Sequence, residues 1–195
     1  MTSSKEKGRA AVIGAGSWGT ALALVCARSG LDVRLWARDS QVALAINRDR
    51  SNPFYLSDHK IPENVCATDS LVHALEGARF AVIVVPSHAI RDIVAAMQPH
   101  LNSEIILVSA TKGVENGTLM RMSEVILDVV GNSVASRHVA LSGPSFALEV
   151  ARGDPTAIVA ASRDAEPREL IQRELSSSLF RIYTNDDVTG VELGG

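Results

Sequence analysis

The sequence predicts an α/β fold, a doubly wound and mainly parallel sheet in three layers. Three observations predict it. The first is the run Ala11-Val12-Ile13-Gly14-Ala15-Gly16-Ser17-Trp18-Gly19-Thr20, an apolar segment that ends in G-x-G-x-x-G and opens into a helix pattern. The second is a repeated alternation of apolar runs with helical segments, the mark of successive βαβ units. The third is that glycine-rich and polar clusters fall just after the apolar runs, where ligands bind in such sheets.

The first strand is expected at 10–14. Gly14 allows a tight turn after it, Gly16 lets a pyrophosphate approach the backbone, and Gly19 lets strand and helix pack closely. The helix that follows, 19–29, begins with backbone N–H groups that have no partner within it and are free to bind phosphate. Residues 10–27 carry no charge and are long enough to imitate a membrane span. The glycines, with Ser17 and Thr20 at phosphate-turn spacing, favour a strand followed by a helix. No span is therefore expected, and the protein reads as cytoplasmic.

Further strands are expected at 32–36, 65–67, 80–85, 105–109, 138–142 and 157–161. Helices fall between them at 40–47, 71–75, 90–97, 119–130 and 166–175. Asp69 or Ser70 suits the cap of the 71–75 helix. Pro86 closes the fourth strand, and Ser87 suits the cap of the helix after it. Pro144 favours the first turn of a short helix after the sixth strand. Continuous apolar strands imply a parallel sheet covered on both faces. Residues 187–195 read as the beginning of a helix with no stop signal. The expected division is a nucleotide-binding Rossmann-type domain over 1–186 and the start of a truncated helical domain over 187–195.

At 195 residues the chain suffices for one well-buried domain. A net charge of −3 and only 4% aromatic residues leave neither a broad basic surface nor base-stacking platforms, so nucleic acid is not an expected partner. Cys26 and Cys66 lie far apart and match no metal-ligand spacing. Both are expected to be buried free thiols in a reducing compartment.

The strand ends carry the functional argument. After the second strand comes Trp36-Ala37-Arg38-Asp39. An acid near this position serves the ribose 2′-hydroxyl of NAD, whereas an Arg suits a 2′-phosphate. Trp36 stands roughly where the acid would be and Arg38 follows, so NADP(H) is expected in preference to NAD(H). Asp39 fits either a ribose contact or a helix cap. After the fourth strand, Pro86-Ser87-His88 fits cofactor contact and a plain turn equally. His88 has no carboxylate at a telling spacing. After the fifth, Lys112 in Thr111-Lys112-Gly113 fits equally a plain surface lysine and a group beside the cofactor's reactive end, able to bind a substrate phosphate or polarise a carbonyl. Gly113 permits the close approach. After the sixth, backbone N–H groups of Ser142-Gly143-Pro144-Ser145-Phe146-Ala147 suit a second ligand group, or a structural turn.

Taken together, the chain resembles the bacterial NAD(P)-dependent glycerol-3-phosphate dehydrogenase family. The matching pieces are Gly14 to Ala23, Leu35-Trp36-Ala37-Arg38, Val85-Pro86-Ser87-His88, Ala110-Thr111-Lys112-Gly113, Ser142 to Ala147 with Glu149, Pro155-Thr156-Ala157 and Gly190 to Gly195. They occur in family order over nearly the whole chain. The resemblance implies reversible reduction of dihydroxyacetone phosphate to sn-glycerol 3-phosphate, feeding phospholipid synthesis, and a homodimer at full length. It implies cofactor contacts at Ser17, Trp18, Arg38, Lys112 and Ala147, beside Gly14, Gly16, Gly19 and Pro86 of the turns. It implies substrate contacts at Lys112, Gly143 and Ser145, with Lys112 the catalytic candidate. The family's proton-transfer lysine follows the Gly-Gly pair by a few residues and is not among these 195. The chain is therefore expected to bind cofactor and to turn over poorly. The alternatives are a sibling dehydrogenase acting on another hydroxy acid or phosphate, and a non-catalytic dinucleotide sensor.

Overall fold

The computed structural model describes residues 8–195, so the first seven residues of the expected 1–186 domain lie outside it. Its strands are β1 (Arg9–Ile13), β2 (Asp32–Trp36), β3 (Val65–Thr68), β4 (Ala78–Ile83), β5 (Ile106–Ser109), β6 (His138–Ser142), β7 (Thr156–Ala161) and β8 (Phe180–Asn185). They form one sheet in the order β3-β2-β1-β4-β5-β6-β7-β8. The first six follow the doubly wound order, which reverses between β1 and β4. All pairs are parallel except β6 with β7.

Helices α1 (Ser17–Arg28), α2 (Ser40–Asp49), α3 (Leu71–Leu75), α4 (Ile90–Met97), α5 (Met122–Val130), α6 (Ala147–Arg152), α7 (Ala165–Leu175) and α8 (Val188–Leu193) complete the molecule. The core divides into two layers, one on each face of the sheet. Ala10 and Val12 of β1 join a cluster with α1, α2, α6 and α7. Ala11 and Ile13 of the same strand join a second cluster with α3, α4 and α5. All four side chains have 0% exposure, as a central parallel strand covered on both faces requires. The uncharged stretch 10–27 resolves into β1 and most of α1. Among the described residues no helix is long and apolar enough to cross a membrane.

Local chemistry sets several boundaries. Ser70, rather than Asp69, caps α3, its Oγ accepting the His73 backbone N–H at 3.3 Å. Asp187 caps α8 by accepting the Gly190 N–H at 2.8 Å. Other expectations are corrected. The 119–130 helix begins at Met122, because Leu119 is left-handed at φ 58° and Glu124 accepts the Arg121 N–H at 2.9 Å to start the helix there. Ser87 opens a short 3-10 turn and does not cap α4 with its side chain. Pro144 stands two residues before the N-cap of α6, Phe146, and so lies outside the helix's first turn. Cys66 is exposed, since it occupies an outward position on the edge strand β3. Strand β8 was not expected at all.

Candidate functional site

The glycine turn connects β1 to α1 at the point where the strand order reverses. Gly14 has φ +124°, and a Cβ on it would lie 2.3 Å from the Val84 carbonyl oxygen. A Cβ on Gly19 would lie 1.8 Å from the Gly14 carbonyl oxygen. Both positions therefore require glycine, one for backbone conformation and one for close packing of helix on strand. At Gly16 the reverse holds: nothing lies within 4 Å of where a Cβ would stand. Gly16 is also the extended N-cap of α1, with no side chain capping the helix and no acid in its first turn. The first N–H groups of α1 are thus left without a side-chain partner beside an open backbone, the condition under which a helix start takes a phosphate.

Two clefts meet over this turn. The first, of about 400 Å³, is walled by Gly14, Ala15 and Gly16, by Trp36 to Asp39 beyond β2, and by Val84 to Pro86 beyond β4. The second, of about 420 Å³, runs from Gly16 to Gly19 towards Lys112, Ser145 and Ala147. They share Gly16, Val84, Val85 and Pro86, so they form one trough across the carboxyl ends of the central strands. A larger hollow of about 690 Å³ lies at the amino ends of β4 and β5, around Arg79, Glu104 and Glu166, away from the glycine turn. The trough is the better site because it brings together convergent backbone donors and charged side chains.

The two ends of the trough differ. At the β2 end, Arg38 is exposed and carries no ion pair among the described residues. Asp39 caps α2, its Oδ1 accepting the Gln41 N–H at 2.9 Å, while the exposed carboxylate also lines the cleft. Trp36 is buried, its Nε1 donating to the Asp69 carbonyl oxygen at 2.9 Å. The β2 end therefore offers the Arg38 guanidinium beside a carboxylate, Asp39, that spends one oxygen on the α2 cap. At the other end, the Lys112 Nζ donates to the Gly143 carbonyl oxygen at 3.0 Å, and Ser145 Oγ donates to the same oxygen at 3.2 Å. One carbonyl thus gathers the residues expected to meet the substrate, from β5 and β6 neighbours 31 positions apart. Trp18 Nε1 is buried there without a hydrogen-bond partner among the described residues.

The donor set suits an extended dinucleotide: helix N–H groups for the pyrophosphate, a guanidinium at one end and an ammonium at the other. Comparison with known proteins agrees. Residues 9–167 match the family model for the NAD-dependent glycerol-3-phosphate dehydrogenase N-terminus. The chain belongs to this family. It is 53% identical over 188 residues to a glycerol-3-phosphate dehydrogenase [NAD(P)+] of Koribacter versatilis, covering 96% of this chain and 56% of that one. It is 48% identical to the enzyme of that name from Carboxydothermus hydrogenoformans, covering 94% and 54%. The crystal structure of glycerol-3-phosphate dehydrogenase from Coxiella burnetii superposes with a TM-score of 0.90 at 38% identity, covering 97% of this chain and 57% of that one. The chain thus spans just over half the length of the curated relatives it matches.

Within this glycerol-3-phosphate dehydrogenase domain, the expected site residues lie along the trough or, for Gly143, at the carbonyl that anchors Lys112. Sequence reasoning missed the third wall. Phe54 and Tyr55 line the β2-end cleft and are 70% and 46% exposed. They sit in the loop after α2, which has no hydrophobic period to reveal it. The available signal was two aromatics in a polar loop of a chain otherwise poor in them.

Proposed function

We propose that the chain is the cofactor-binding part of an enzyme that interconverts dihydroxyacetone phosphate and sn-glycerol 3-phosphate with NAD(P)H. The observation that carries this reading is the trough joining the open helix start at Gly16 to the Lys112–Gly143–Ser145 group. When bound, the nicotinamide would supply or accept a hydride. The protein's own part is binding and electrostatics. Gly14, Gly16, Ser17, Trp18, Gly19 and Pro86 form the floor on which the dinucleotide lies, and Ala147 closes its far side. Arg38 faces the ribose end and, with Asp39 engaged as a cap, favours the 2′-phosphate of NADP(H) over NAD(H). Lys112, steadied by the Gly143 carbonyl, holds a positive charge where a substrate phosphate or a developing alkoxide would lie. Gly143 and Ser145 supply the remaining substrate contacts.

Residues 1–186 form the dinucleotide domain in this proposal, and 187–195 begin the segment that completes the substrate site in a homodimer. The product would enter phospholipid synthesis in the cytoplasm. The test is NADPH oxidation by the complete enzyme with dihydroxyacetone phosphate. Substrate-dependent loss of the nicotinamide absorbance supports the reading. Tight NADPH binding without loss keeps the cofactor site and overturns the substrate.

A further inference from the structure

Asn52 stands apart from the rest of the loop after α2. Its neighbours Pro53, Phe54 and Tyr55 are exposed, yet Asn52 itself has 0% exposure. A buried amide is costly unless its donors and acceptor are met. Here they are met in two directions. The Nδ2 group donates to the Ala15 carbonyl oxygen and to Thr20 Oγ1, both at 2.9 Å. The Oδ1 atom accepts the backbone N–H groups of Phe54 and Tyr55, each at 3.2 Å. One side chain therefore ties the phosphate-binding turn and the first turn of α1 to the aromatic wall of the same cleft.

The rest of the loop is fastened elsewhere. The Arg50 guanidinium donates to the carbonyl oxygens of Ile61, Pro62 and Val65, and the Ile61 N–H returns to the Arg50 carbonyl at 2.8 Å. These bonds close the base of the loop and do not reach the turn. The bonds from loop to turn run through the Asn52 amide. Loss of that amide leaves the base intact and frees the tip that carries Phe54 and Tyr55.

We propose that Asn52 is a positioning residue for dinucleotide binding, locking the Phe54–Tyr55 wall to the glycine turn so that both sides of the cleft are set before the ligand arrives. This rests on the reading of the trough as the cofactor site. Preorganisation of this kind raises affinity because the loop's ordering is already complete in the free protein.

The test is NADPH binding to the 195-residue chain, read by nucleotide fluorescence, with the thermal midpoint measured in parallel. Asn52→Ala should weaken NADPH by about tenfold or more, a change of order 1.4 kcal/mol. Asn52→Asp keeps the acceptor for the loop amides but replaces the donors to Ala15 and Thr20 with a carboxylate; it should not rescue binding. Tyr55→Ala should weaken binding alone, and adding it to Asn52→Ala should cost less than the sum, since both act through the same wall. Thr20→Val removes one acceptor at nearly constant shape and serves as the second variant should Asn52→Ala fail to fold; it should weaken binding in the same direction. Wild-type affinity in a folded Asn52→Ala or Thr20→Val chain, or strict additivity with Tyr55→Ala, overturns the role of Asn52. A wild-type chain that does not bind NADPH overturns the reading of the cleft itself.

Discussion

The Glu192 carboxylate caps the amino terminus of a helix that begins some 70 positions earlier in the chain. Its Oε1 accepts the Ser123 backbone N–H at 2.7 Å, and its Oε2 accepts Ser123 Oγ at 2.6 Å and the Arg121 guanidinium at 2.9 Å. The Glu192 side chain is 8% exposed and that of Arg121 18%. An anion at this point also meets the positive end of the α5 dipole. The bond network fastens α8 to the dinucleotide domain, whereas Arg121 keeps a second partner in Glu124.

Glu192→Ala should therefore lower the unfolding free energy of the chain by about 2 kcal/mol, the lower range for breaking a buried charged pair when one partner stays engaged. Glu192→Gln should cost less, because the amide oxygen still accepts the Ser123 N–H. Urea denaturation at neutral pH checks both. Equal stability of wild type and Glu192→Ala would show that α8 is held by packing alone.

Arg38 sets a prediction about cofactor choice. Among the described residues its guanidinium carries no ion pair at the β2 end of the trough, and one oxygen of Asp39 is spent on the α2 cap. Arg38→Ala should weaken NADPH by about tenfold, the size of one charge-assisted contact to a phosphate, and leave NADH within about twofold. Titration of both nucleotides with both proteins decides it. Parallel losses for NADPH and NADH would remove Arg38 from 2′-phosphate recognition.

Lys112 sets a prediction about rate. Its ammonium is placed by the Gly143 carbonyl at 3.0 Å and does not depend on an ion pair. Lys112→Ala in the complete enzyme should lower turnover of dihydroxyacetone phosphate by about a hundredfold or more, the scale of a lost charge-stabilising donor. NADPH affinity should fall much less. An unchanged rate constant would leave Lys112 as a surface residue of the cleft.

The parts of the fold that were legible were those fixed by local pattern. Strands β1, β4 and β5 carry continuous apolar runs, Ala10 to Ile13, Phe80 to Ile83 and Ile106 to Val108, because both of their faces are covered there, and such runs declare themselves. Strand β8 did not: of Phe180 to Asn185 only Phe180 and Ile182 are buried, and Tyr183 is 54% exposed at the sheet edge. The antiparallel pairing of β7 with β6 depends on where the chain returns, which no local period encodes. Cys66 was misjudged for a related reason, since an apolar residue on an edge strand has one open face. At the site, the glycine turn was readable from spacing, whereas Lys112 stood out only through the family resemblance. Asn52 was not, because its role lies in four hydrogen bonds to residues that only the folded chain brings to it.

His138 gives the pH dependence. It opens β6 with 4% exposure, and its Nε2 has no hydrogen-bond partner among the described residues. Burial, and secondarily the nearby Arg121 cation, push its pKa down from 6.5 to about 4. The folded protein thus holds a neutral imidazole where the unfolded chain would take up a proton. Between pH 6.5 and about 4 the unfolded state binds more protons, so stability rises with pH across this window and is lost as pH falls through it. The loss should reach about 2 kcal/mol by pH 5 and about 3 kcal/mol near pH 4. Glu115 enters at the acid end of this window: its pKa is lowered from 4.5 to about 2, chiefly by its hydrogen bond from Arg91, so its stabilisation is lost as pH falls below about 4.5, and the His138 effect is read above that. The check is urea unfolding of wild type and His138→Leu from pH 7.5 to 4.5. The variant should lose less stability on acidification, and the gap between the two proteins should shift in its favour by about 2 kcal/mol between pH 7 and pH 5. A gap that stays constant with pH would show that the acid sensitivity arises at another group.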